Sequence, residues 1–327
     1  MSIATRLAVT LLAAPLVLAG CAGSSDDAGA SSAPADAAPC PTTPVEVVVS
    51  VDQWGDVVRD LGGACAKVTT LLASSSVDPH DYEPSPADAA KFAGAQLVVV
   101  NGGHYDEWAA KLAAGSAPEA PIVDAVLLSG GEAGHDHDHD EAGHDHDHAA
   151  EGNPHVWYSP TAVTGVADAV TSKLTELAPD AADYFAERRG AWTESMKPYD
   201  AAIAAIKQGA TGKTYAATES VFDDMAAALG LRNGTPQGYQ TASSNEADPS
   251  PADLDAFLTV LRDKQVDVLI YNTQTEGSVP EQIRQTAESA GVPVVEVTET
   301  VAPGTDSFEA WQVAQLTSLA KALGVAV

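Results

Sequence analysis

Basic side chains are scarce in this chain: 16 Lys and Arg stand against 46 Asp and Glu among 327 residues, a formal charge of -30. A surface of that sign repels phosphate backbones and anionic headgroups, which argues against nucleic acid as a partner and against polybasic membrane binding. It is compatible with attracting cations, and equally with a solvated surface that keeps the chain soluble. The apolar stretch Leu7 to Ala19 is too short to span a bilayer as a stable helix. Neither the His-Glu-x-x-His pattern nor the Gly-x-Ser-x-Gly pattern occurs, and no sequence repeat links one half of the chain to the other. A secreted zinc hydrolase, which needs three protein ligands, an open water position and a nearby general base, is the weaker reading on that ground.

What is present is ordinary globular composition, 45% hydrophobic and 19% charged, and enough chain for two lobes with a core each. Histidine is the exception. Of nine in the chain, six (His135, His137, His139, His144, His146 and His148) alternate with aspartates in one stretch, and His155 follows in Asn153-Pro154-His155-Val156-Trp157. Neutral imidazole is the commonest zinc ligand, so the tract points to metal. It has no apolar residue with which to pack, and is expected to be mobile and to gather ions weakly, as an accessory site. His155 differs, because Pro154 fixes the backbone before it and Val156, Trp157 and Tyr158 offer bulk to pin it against a core.

Along the chain, Arg6 and the apolar segment after it predict an export signal over residues 1–20. The signal ends in Leu18-Ala19-Gly20-Cys21, which resembles the lipobox of bacterial lipoproteins. That resemblance implies lipidation at Cys21 and a lipid anchor at the outer face of the bacterial cell membrane; the alternative is an ordinary cleaved signal with a chance cysteine. Residues 21–44, rich in Ala, Ser, Gly, Pro and Asp, read as a flexible tether. Residues 45–178 then alternate strands with helices: strands over 45–51, 67–72, 96–101 and 121–124, helices over 53–61, 86–93 and 106–114, and a His-rich loop over 132–152. Residues 179–208 read as one long connector helix, about 40 Å in span and bent at Pro198, or else as two separate helices of one bundle. A second series fills 209–327: strands over 213–218, 266–271 and 294–298, an extended segment over 231–242, and helices over 221–229, 251–264, 279–290 and 307–323. The fold class is therefore α/β, two lobes, each a mostly parallel sheet flanked by helices and joined by a connector helix.

Cys40 precedes the first strand and Cys65 the second. Parallel neighbours joined by a right-handed crossover begin at the same sheet edge, so the two cysteines are placed to meet in a disulfide; free thiols or soft metal ligands are the alternative.

Ligands of open parallel sheets bind beyond the carboxyl ends of the strands. That rule selects His80, His104 and His155 in the first lobe and Glu219, Glu276 and Glu299 in the second. Three stretches make the pattern specific: Pro79-His80-Asp81-Tyr82-Glu83-Pro84-Ser85, the strand and turn Leu97-Val98-Val99-Val100-Asn101-Gly102, and Asn153-Pro154-His155-Val156-Trp157. Together with the His-rich insertion they resemble the zinc and manganese solute-binding lipoproteins of bacterial ABC importers (ZnuA/PsaA-like) over residues 45–325. The resemblance implies metal ligands His80 and His155 from the first lobe and Glu219 and Glu299 from the second, the register at Glu299 differing from the family's usual Asp by one or two residues. It implies an extracytoplasmic, non-enzymatic, monomeric receptor that hands its ion to an ABC importer membrane permease. Two imidazoles and two carboxylates balance a divalent cation, and four protein ligands suit holding better than catalysis. The oxygen content leans toward Mn2+ and the His-rich loop toward Zn2+; zinc is the expectation. A surface metal buffer or adhesin without a transporter is the remaining alternative.

Overall fold

The computed structural model describes residues 38–73, 82–130 and 153–327, apart from 246, 276, 303 and 306. Cys21, His80, Glu276 and the tract His135 to His148 lie outside the described residues.

The first lobe is built from β1 (Val45–Val51), β2 (Ala66–Leu72), β3 (Leu97–Val100) and β4 (Ile122–Asp124), all parallel, in the order β2-β1-β3-β4. The second is built from β5 (Thr214–Ala217), β6 (Arg232–Asn233), β7 (Val268–Asn272) and β8 (Val294–Val297), also parallel, in the order β6-β5-β7-β8. Each sheet is covered on both sides, as a parallel sheet requires, and the two-residue period of a strand divides its apolar residues accordingly. Val47, Val49 and Val51 of β1, Leu97 and Val99 of β3 and Val268 and Ile270 of β7 enter one core that runs through both lobes. Val48, Val98 and Val100 turn the other way, toward Phe92, Ala109 and Ala113. Their counterparts Ala216 and Leu269 meet Phe257, Leu261 and Ile283.

The shared core takes its helices from α1 (Asp52–Gly62), α5 (Pro160–Leu177), α6 (Ala182–Ser195), α7 (Lys197–Gly209), α8 (Asp223–Leu229) and α12 (Phe308–Leu323). The outer faces carry α2 (Pro86–Lys91) and α3 (Glu107–Ser116) on the first lobe, and α9 (Gln237–Ser244), α10 (Pro251–Arg262) and α11 (Ser278–Ala290) on the second. A single turn, α4 (Ala125–Leu128), follows β4 directly. In α1 the buried Trp54, Val57, Val58 and Leu61 recur at helical spacing and make the inward stripe. Helix α5 starts at Pro160, capped by the Ser159 hydroxyl, which accepts from the backbone N–H of Ala162.

One expectation is refined and one corrected. The helical stretch after residue 179, read as one connector bent at Pro198 or as two helices, divides into α6, which ends at Ser195, and α7, which opens at Lys197, with Met196 alone between them. Pro198 has no N–H to donate to the turn before it, which favours a break at this point. Helix α6 packs on α1 and α5, and α7 on α8 and α12. The stretch 231–242, expected to be extended, contains the short edge strand β6 and then α9, whose polar sequence buries Tyr239.

Cys40 and Cys65 form a disulfide, with Cα atoms 4.9 Å apart, which excludes them as metal ligands.

Candidate metal centre

In each sheet the strand order reverses between two neighbours, β1 and β3 in the first and β5 and β7 in the second. Crevices open at the carboxyl ends of such pairs, and here the two crevices meet. Gln53, just past β1, donates through Nε2 to the backbone oxygen of Glu299 at 2.6 Å. Tyr105, past β3, donates through its hydroxyl to Glu299 Oε2 at 3.2 Å. Asn153 Nδ2 donates to the Ser220 carbonyl at 2.9 Å, and the Tyr158 hydroxyl to the Thr298 carbonyl at 2.7 Å. All four bonds cross from the first lobe to the second.

His155 is positioned from three sides. The carbonyl of Pro154 accepts from Asn101 Nδ2 at 2.8 Å, and Asn101 Oδ1 accepts from the Trp54 indole N–H at 3.0 Å, so the buried Asn101 ties the His155 turn to β3 and α1. The turn after β3 needs glycine: Gly102 has φ +83°, and a Cβ there would lie 2.2 Å from Asp124 Oδ1. Its backbone N–H and that of Asn101 donate to the fully buried Asp106 carboxylate at 2.8 and 2.7 Å, while burial pushes that carboxyl up to about 6. The ring of Trp157 stands edge-on to the His155 ring, centroids 5.3 Å apart. Finally, His155 Nδ1 lies 2.7 Å from Asn153 Oδ1. The Asn153 amide must present its oxygen there, because its nitrogen donates to Ser220, so Nδ1 carries the proton and Nε2 the lone pair.

That lone pair faces Glu299. His155 Nε2 and Glu299 Oε2 are 3.7 Å apart, with both residues buried. The Glu299 carboxylate also accepts from Asn272 Nδ2 through Oε1 at 2.8 Å. Its backbone N–H donates to Gln274 Oε1 at 2.7 Å, an oxygen that also receives the N–H and hydroxyl of Thr300. Burial, and then the charge of Glu299, hold the Tyr105 phenol well above its ordinary range, so it remains a donor.

The structure thus brings His155 and Glu299 together. Glu219 follows β5, half-buried, and its carboxylate accepts from the Thr275 hydroxyl. It borders a cavity of about 20 Å³, lined also by Asp223, Thr235, Tyr239 and Ser243. Its tie to the first lobe runs through the next residue, Ser220, and Asn153. His104, in left-handed backbone at φ 64°, pairs instead with Glu107 at the first turn of α3. Among the described residues, no three His, Cys, Asp or Glu side chains gather closely enough to hold an ion. Sequence reasoning missed Gln53, Tyr105, Asn272 and Gln274 altogether. Asn101 and Asn153 stood inside the motif stretches, but their roles in holding Pro154 and His155 had no signature of their own.

A family model described as "Zinc-uptake complex component A periplasmic" (ZnuA) matches residues 47–322. The chain belongs to the ZnuA family. Among its relatives, this ZnuA-family chain is 28% identical over 222 residues to the zinc-binding lipoprotein AdcA of Streptococcus pneumoniae (strain TIGR4), covering 66% of this chain and 42% of AdcA. It therefore spans less than half the length of AdcA. Over 279 residues it is 26% identical to the high-affinity zinc uptake system protein ZnuA of Bacillus subtilis, covering 84% and 82% of the two chains. Among solved structures, the periplasmic zinc binding protein TroA from Treponema pallidum superposes with a TM-score of 0.69 at 17% identity, covering 86% of this chain and 99% of that one. The Mn2+ complex of FpvC from Pseudomonas aeruginosa gives 0.68 at 19% identity, with the same coverage. These two likenesses establish the fold of the ZnuA-family chain as the two-lobed α/β fold of such proteins.

Proposed function

We propose that this protein is an extracytoplasmic receptor that captures zinc between its two lobes and delivers it to the membrane permease of an ABC importer. The observation that carries the reading is the approach of His155 Nε2 to Glu299 Oε2, 3.7 Å across the lobe boundary in a buried setting. Two donors each about 2.0–2.1 Å from one tetrahedral zinc stand about 3.4 Å apart, so this pair needs a shift of only a few tenths of an ångström to share an ion. Both groups are braced as ligands usually are, His155 by Asn153 through its other nitrogen and Glu299 by Asn272 and Tyr105.

His80 and Glu219 complete the proposed set. Two neutral imidazoles and two carboxylates cancel the charge of a divalent cation, which makes its burial tolerable. The names of AdcA and of the Bacillus subtilis relative favour zinc over the alternative, Mn2+, as does the His-rich tract from His135 to His148, proposed as an accessory collector of metal ions. The role is that of a monomeric carrier and not of an enzyme, held by lipid at Cys21 to the outer face of the cell membrane. Residues 1–20 act as the signal and 21–44 as the tether; 45–178 and 209–327 form the two lobes, and 179–208 the connection between them.

The test is metal analysis of protein purified without an affinity tag, followed by Zn2+/Mn2+ competition on the wild type, His155→Ala and Glu299→Ala. The reading expects one zinc per chain and loss of tight binding in both variants. A protein that prefers Mn2+, or one whose zinc affinity survives both substitutions, refutes it.

A further inference from the structure

The 3.7 Å approach of His155 Nε2 to Glu299 Oε2 joins residues of opposite lobes, so some contact must set that spacing across the boundary. The first turn of α1 is placed to do so. Gln53, its second residue, is fully buried, and its Nε2 donates to the Glu299 backbone oxygen at 2.6 Å and to the Tyr105 hydroxyl oxygen at 3.3 Å. A carbonyl oxygen only accepts, so the amide must present its nitrogen on that side. With an amide N–H turned on its oxygen, the Tyr105 hydroxyl aims its own proton at Glu299 Oε2, 3.2 Å away. The three bonds close a ring in which Glu299 is gripped both at its main chain and at its carboxylate. Tyr105 in turn packs on Trp157, ring centroids 4.9 Å apart, and Trp157 stands against His155 at 5.3 Å. Imidazole and carboxylate are thus both referred to one packed group of first-lobe side chains. The other end of the Gln53 amide points the same way by its cost: Oε1 is buried and has no hydrogen-bond partner among the described residues. A buried acceptor left unpaired is destabilising. For packing alone an apolar side chain of the same length would serve α1 better, so the amide is explained by what its nitrogen holds.

We infer that Gln53 is a positioning residue for the ion: from the lobe that carries His155 it holds Glu299 in place, directly at the main chain and indirectly by orienting Tyr105, and so fixes the distance across which zinc is bound. Gln53 does not itself touch the ion. The inference rests on His155 and Glu299 being ligands, as proposed above, and does not depend on the other members of the set.

The experiment uses the full, untagged protein and Zn2+ as the probe. Zinc affinity is measured by competition against a chromophoric chelator on wild type, Gln53→Met, Tyr105→Phe and the double variant, with Glu299→Ala as the control. Urea denaturation of each metal-free protein follows stability separately. Methionine matches glutamine in length and removes the donor together with the unpaired acceptor. The expected results are a fall of about 10-fold or more in the zinc affinity of Gln53→Met with little change in its urea midpoint, and a combined loss in the double variant smaller than the product of the two single losses, because Tyr105→Phe has already removed one of the two routes. Unchanged affinity in a folded Gln53→Met, or single losses that simply multiply in the double variant, overturns the inference. A Gln53 that served the fold alone would lower the midpoint and leave the affinity of the folded protein as it was. Should Gln53→Met fail to fold, Gln53→Leu, which removes the same bonds, is read in its place. If Glu299→Ala binds Zn2+ as the wild type does, the ligand assignment itself has failed, whereas loss in Glu299→Ala with none in Gln53→Met removes only the role of Gln53.

Discussion

Replacing Asn153 by alanine separates the holding of His155 from the folding of the chain. Its side chain makes three bonds: Oδ1 accepts from the His155 ring at 2.7 Å and from the His155 backbone N–H at 3.1 Å, and Nδ2 donates to Ser220 at 2.9 Å. At about 1 kcal/mol net for each, the loss of stability is at most ~3 kcal/mol, and less because Asn153 is half-buried and water replaces part of what is lost. Zinc affinity should suffer separately. Without a partner to hold Nδ1–H, the ring loses its orientation and tautomer, and partners of this kind are worth about 10–100-fold in affinity, or ~1.4–2.7 kcal/mol. Asn153→Asp provides the contrast. Aspartate still accepts both bonds from His155 but cannot donate to Ser220, so it should lose about 1 kcal/mol of stability while keeping most of the zinc affinity. Urea denaturation of the metal-free proteins gives the first quantity and competition against a chromophoric zinc chelator the second. Wild-type affinity in Asn153→Ala, or equal losses of affinity in the two variants, would refute the argument that this amide orients His155 for an ion.

Three further outcomes are expected. Removing the Cys40–Cys65 bridge, which closes a sequence separation of 25 residues, should cost ~3.5 kcal/mol, read as a lower urea midpoint in the Cys40→Ala/Cys65→Ala protein. Asp52, raised from 3.8 to about 7 by burial, with backbone bonding to Val301 opposing, holds a proton in the folded chain that the unfolded chain has released between those two values. Stability should therefore fall as pH rises through that window and level off above it, and Asp52→Asn should exceed wild type by up to ~4 kcal/mol at about pH 8 with no gain below pH 3.8, checked by denaturation across pH. Asn101→Ala leaves the Trp54 indole N–H and the Pro154 carbonyl without their buried partner and should lose ~2–4 kcal/mol, with zinc affinity falling in the same protein.

Much of the architecture was legible because each major strand writes its own signal. The β-branched run of β1 and the valines of β3 have nowhere to go but a sheet covered on both sides. Strand β6 is two exposed residues long, and α9 buries Tyr239 in a polar sequence, so neither has an apolar period to read. The site divides in the same way. His155 stood out because it is one of only three histidines outside the His-rich tract and its neighbours are bulky, and Val156, Trp157 and Tyr158 are indeed buried around it. Gln53, Asn272 and Gln274 were illegible, since a buried amide that braces a carboxylate looks the same in sequence as one on a solvated surface. Their meaning exists only once β1, β7 and β8 end at the same crevice.

One oxygen, that of the Gln274 side chain, collects the main chain of Glu299 and both donors of Thr300. A peptide segment fastened in that way has no slack of its own. On the function proposed above, a displacement that freed the ion would carry the acid with its sheet and would have to break the bonds that Gln53, Tyr105, Asn153 and Tyr158 make from one half to the other. Unloading would thus resemble unfastening a row of separate clasps, each replaceable by water, more than deforming the surface they close upon.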